Sequence, residues 1–89
     1  MFGDDLFEFA GKVGSRYDFL KFLNYLKKDL ENNEDEWENN NIKDYIKAIF
    51  NFTSDIEGYY KNMGESVDAE AITWRMVSQI LLAAKVYGS

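Results

Sequence analysis

The chain contains no histidine, no cysteine and no proline. Without cysteine there is no disulfide, no thiolate nucleophile and no zinc–thiolate centre. Without histidine the side chain that most often moves protons near neutral pH is missing as well. An acid/base or metal site would have to be assembled from carboxylates, lysine and tyrosine alone. No glycine-rich phosphate loop is present. The longest apolar run, Ile80 to Ala84, is far short of the ~20 residues that cross a bilayer. Asp4 and Asp5 stand where a secretory signal would carry basic residues, so no signal peptide is expected and the cytoplasm is the expected location. A carboxylate-based enzyme would need several acids gathered in a cleft that shifts their pKa values. Nothing in the spacing provides one, and the reading is that the protein is not an enzyme.

One stretch also lacks charge of one sign. Between Asp29 and Glu38 there are six acids and no base: Asp29, Glu31, Glu34, Asp35, Glu36 and Glu38. The net charge of the whole chain is −6, so the remainder is close to neutral and the acidity is local. Such a field repels DNA, RNA and anionic membrane and attracts basic proteins. The segment reads as an outward-facing docking surface for a basic partner, or as a solvated loop that keeps the protein soluble. Calcium is a third reading, but the central glycine of an EF-hand loop is missing. Trp37 interrupts the run. A tryptophan in a polar loop folds its ring back onto the core with its N–H bonded, or else stands out as a contact residue for a partner. The candidate partner-binding residues are therefore Asp29, Glu31, Glu34, Asp35, Glu36, Trp37 and Glu38. No catalytic, cofactor-binding or metal-binding residue is assigned.

What the chain has is material for a core. Its 89 residues are 46% apolar and 17% aromatic, enough for one domain over residues 1–89 that buries roughly 60 to 70% of its unfolded surface. Phe2, Leu6, Phe9, Ala10 and Val13 form a helical stripe that Gly11 and Gly14 would end. Ser15, with Asp18 three residues on, is close to a capping box and opens a helix over about residues 16–31. Its apolar residues cover more than half the circumference, so it is covered on more than one side. Asn32 and Asn33 break that pattern. Asn39, Asn40 and Asn41 are placed to cap a third helix over about residues 42–62. On it Ile42, Tyr45, Ile46, Ile49, Thr53, Ile56 and Tyr60 make the apolar stripe, opposite Lys43, Lys47, Asn51, Ser54 and Lys61. Gly64 marks its exit, and residues 64–72 read as a loop. Thr73 caps a last helix over about residues 74–87. Strand signals are weak. The expected fold is all-α, a small bundle of three main helices plus a short N-terminal one.

Several residues stand outside that frame. Tyr25, Tyr45, Tyr59 and Tyr60 read as packing at the core edge. Leu82 and Val86 lie on the far side of the last helix, where the N-terminal helix covers them or a second copy does, giving a homodimer. Arg75, at the start of its helix, is expected to pair with Glu70, Asp68 or the acidic loop.

The segments DFLKFLNYLKKDL (18–30), WEN (37–39) and DYIKAI (44–49), the Tyr59-Tyr60 pair, Trp74 and ILLAAKVY (80–87) together resemble a family of small uncharacterised bacterial proteins. That resemblance implies a compact helical domain and brings no activity with it. By size and charge alone the chain is also similar to acidic immunity proteins that neutralise secreted toxins. The functional expectation is an acidic protein-binding module without cofactors, docking on a basic protein and on neither nucleic acid nor membrane. The alternative is a structural homodimer through Leu82, Val86 and the N-terminal segment.

Overall fold

The computed structural model describes residues 3–88 and folds them into five α-helices and one 3-10 turn, with no strand among the described residues. Phe2 and the Asp4 side chain lie outside what is described. The helices are α1 (Gly3–Lys12), α2 (Arg16–Asn32), α3 (Ile42–Ser54), α4 (Ile56–Asn62) and α5 (Trp74–Ala83), with the 3-10 turn at Glu34–Glu36.

The caps are those the sequence supplies. Ser15 Oγ accepts from Asp18 N at 3.1 Å, Asn41 Oδ1 from Asp44 N at 2.9 Å and Thr73 Oγ1 from Met76 N at 3.0 Å. Each satisfies one of the free N–H groups of a helix start. The Asp18 carboxylate also reaches back to accept from Gly14 N at 3.1 Å. Gly64, at φ +74°, provides the left-handed step after α4. That conformation lets Glu65 N donate to Tyr60 O at 2.9 Å and closes the helix end.

The last helix is the centre of the fold. Helices α1, α2 and α3 all pack on α5. Leu6, Ala10, Val13, Phe22, Leu26 and Trp37 form one buried cluster, against which Leu81 and Leu82 pack. Phe52, Ile56, Tyr60 and Met76 form another. Even the polar residues of α5 are interior. Ser78 donates to Trp74 O, and Gln79 Oε1 accepts from the Tyr60 hydroxyl. No buried side-chain nitrogen or oxygen among the described residues lacks a partner.

Three expectations need correction. The single helix over 42–62 is two helices that meet at Asp55. Thr53, Ser54 and Asp55 are residues whose side chains compete with the helical backbone. Ser54 Oγ donates back to Phe50 O, and Asp55 accepts instead from the Tyr87 hydroxyl. The last helix stops at Ala83: Leu81 O accepts from the Tyr45 hydroxyl, and Lys85 N and Val86 N donate three residues back, to Leu82 O and Ala83 O, in a tighter turn. Arg75 pairs with neither Glu70, Asp68 nor the acidic loop. Its guanidinium grips Glu65 with two bonds of 2.9 and 2.8 Å, and its Nε donates to Gly11 O at 3.0 Å. The Nε bond satisfies a free carbonyl at the end of α1.

The covered face of α3 also differs from the expected stripe. Ala48 and Phe52 are buried, whereas Ile42 is 76% exposed, Ile46 58% and Phe50 71%. Thr53 is exposed too. The apolar arc of α3 is wider than its contact with α5, so the surplus faces solvent.

Candidate functional site: a pinned acidic loop beside an apolar groove

The loop between α2 and α3 carries most of the acidic run, and Asp29 fixes its shape. This carboxylate is 2% exposed and sits three residues before the end of α2. Its Oδ2 accepts from Trp37 Nε1 at 2.8 Å and from Lys85 Nζ at 2.7 Å, and its Oδ1 accepts from Asn33 Nδ2 at 3.2 Å. Lys85 reaches it from just beyond α5, with its ammonium 5.7 Å from the Trp37 ring centre. Burial pushes the Asp29 pKa up. The hydrogen bonds from Lys85 and Trp37, the Lys85 charge and the Asn33 bond outweigh that and hold the carboxyl below its ordinary value. Asp29 is thus an ionised interior group. The expectation of six outward carboxylates is corrected here, because a lysine 56 positions away draws Asp29 inward.

A second set of bonds closes the loop onto the end of α5. Asn39 Nδ2 donates to Ala84 O and Tyr87 O, both at 2.9 Å, and Asn39 N donates to Lys85 O at 3.1 Å. Three carbonyls in the segment just past α5 are satisfied by one residue. Of the three asparagines expected to cap α3, only Asn41 does so; Asn39 holds the segment past α5 and Asn40 is exposed. Trp37 takes its anchoring place. It is buried, with its ring 5.9 Å from that of Tyr45. Tyr45 in turn donates to Leu81 O at 2.6 Å, and burial pushes its hydroxyl up to about 12.

With Asp29 and Trp37 held inside, Glu31, Glu34, Asp35, Glu36 and Glu38 are left on the surface, all exposed. Among the described residues no group of three acidic side chains converges where a metal ion could sit. No helix among them is long and apolar enough to cross a membrane.

Directly beside the loop runs a groove that the charge pattern gave no sign of. Helices α2 and α3 both lean on α5, and their backbones do not approach each other closely. The gap is about 310 Å³ and is lined by Leu23, Leu26 and Leu30 from α2, Ile42 and Tyr45 from α3, and the Trp37 ring. Lys27, Asn39, Asn40 and Asn41 form its polar edge. On the opposite side of α5, α1 covers Leu82, which is partly buried against the first cluster, while Phe7 and Val86 stay about half exposed around a smaller hollow.

The chain matches DUF7660, a family of unknown function, over residues 15–88, and belongs to it. The match takes in α2 through α5 together with the loop and the groove. Searches of curated proteins and of solved structures returned no match.

Proposed function

We propose that this domain is a non-catalytic, cytoplasmic protein-binding module whose acidic loop docks on a basic partner. The observation that carries the reading is the double fixation of the loop, through Asp29 to Trp37 and Lys85 and through Asn39 to the end of α5. A charge run that served only solubility would need no such framework. Held in place, five exposed carboxylates present a constant field, which speeds encounter and selects partners by charge. A cationic toxin, the target of the immunity proteins it resembles in size and charge, is one partner of this kind. Converting Glu34, Asp35, Glu36 and Glu38 to lysine should abolish capture of basic proteins at low salt and leave the helical circular dichroism unchanged. Unchanged capture would remove the reading.

A second reading, self-association, is favoured by Phe7 and Val86, two half-exposed apolar side chains beside the partly covered Leu82. Light scattering at high protein concentration tests it. A dimer that becomes a monomer on Val86→Glu supports it, and a monomeric wild type removes it.

A further inference from the structure

The α2 wall of the groove is its long side. Leu23, Leu26 and Leu30 line it at three- and four-residue spacing, so they lie along one side of the helix. Eight residues of α-helix rise ~12 Å, so the stripe is about two turns long. On the facing helix Ile42, 76% exposed, and Tyr45 complete the apolar lining with the Trp37 ring. A 310 Å³ trough lined by leucine, isoleucine and aromatic rings is a surface of the kind that marks a contact site. A trough between two helices suits a third helix better than an extended strand, since no sheet edge is available to pair with among the described residues.

Charge selects which helix. Over residues 27–44, which frame the deep end, six exposed carboxylates (Glu31, Glu34, Asp35, Glu36, Glu38, Asp44) face three exposed lysines (Lys27, Lys28, Lys43). A second copy of the chain is disfavoured, because pairing two such grooves brings two acidic loops together. An acidic helix is disfavoured for the same reason.

We propose that the groove between α2 and α3 receives an amphipathic helix from a partner, with apolar anchors at i, i+4 and i+7 or i+8 and with lysines or arginines at the end that lies over the acidic loop. This rests on the protein-binding reading above and specifies what that partner presents. The apolar anchors fill the space over Leu23, Ile42 and Tyr45, and the basic residues meet the carboxylates of Glu34 to Glu38.

The test is titration of the ¹⁵N-labelled protein with three synthetic helical peptides. One has a leucine stripe and a lysine-rich end. The second has the same composition, scrambled so that no apolar face forms. The third keeps the stripe and replaces lysine with glutamate. The first should bind saturably, shifting the Trp37 indole N–H and the Leu23, Ile42 and Tyr45 resonances. The other two should bind about tenfold more weakly or worse, the usual consequence of losing a central anchor or the charge match. Ile42→Ala, at a lining position so exposed that folding depends little on it, should weaken the first peptide similarly. Equal binding of the first two peptides with shifts confined to the loop overturns the groove and leaves the acidic docking surface standing. Binding of the glutamate peptide as tight as the lysine one overturns the charge argument in both. No binding of any peptide, or self-association that protects the groove, overturns the proposal.

Discussion

Replacing Lys85 by methionine isolates the interaction on which the loop depends. The substitution keeps an apolar stem of similar length and removes one charge. It leaves the Asp29 carboxylate buried with only Trp37 and Asn33 as donors. Breaking a buried ion pair from one side costs about 3–5 kcal/mol, and the low end applies here because the Lys85 side chain is still 12% exposed. A domain of this size has a total stability of roughly 4–13 kcal/mol, so a loss of about 3 is a large share of it. At roughly 4–8 °C per kcal/mol, the melting temperature should fall by about 12–24 °C. The pH dependence gives the sign. In the wild type the Asp29 pKa is lowered in the folded state, so its contribution is complete above the unfolded value and is lost only as pH falls through the folded one. In the variant the Lys85 bond and charge are gone and burial, which raises the pKa, gains weight. The deficit at pH 7 should therefore narrow as pH approaches 4, where Asp29 can enter the interior protonated. Adding Asp29→Asn to Lys85→Met should recover ~1–2 kcal/mol, because the asparagine oxygen still accepts from Trp37 and no charge remains buried. Thermal and urea melts of the three variants at several pH values decide the matter. A Lys85→Met protein as stable as wild type, or a deficit that does not change with pH, would refute the reasoning.

Asn39→Ala should cost roughly 1–3 kcal/mol by leaving the Ala84 and Tyr87 carbonyls without their donor. It should also speed amide exchange in residues 33–41, which exchange mass spectrometry reads directly. Thr73→Ala should cost about 1 kcal/mol, the usual value of a lost N-cap, visible as a lower urea midpoint with an unchanged slope.

Much of the fold could be read in advance because its signals are local. Ser15, Asn41 and Thr73 each cap where their spacing places them, and Gly64 turns where it should. The acidic loop was harder, since its geometry is set by partners far away in the chain. Nothing near Asp29 in sequence distinguishes it from Glu31 or Glu34; what does is Lys85, brought alongside only when α5 docks. Asn39 is ambiguous in the same way, being adjacent to the start of α3 but bonded to the end of α5. The error on α3 has another cause. Periodicity reports which residues are apolar and not what covers them, so Ile42, at the edge of the groove, and Ile46, on the open surface, read as core. The break at Asp55 had a visible signal in the Thr-Ser-Asp sequence, outweighed by the apolar stripe running through it.

Asn39 links the loop to residues 84–87, and this fixes an order of events. A chain emerging from the ribosome has made every carboxylate of the loop long before it has made Lys85. Until the final helix arrives, those carboxylates belong to a tether with no set form. The fixed form of the acidic loop thus comes into being last, together with the completed fold, and exchange of the Trp37 indole proton should then report unfolding of the entire domain and not a local opening.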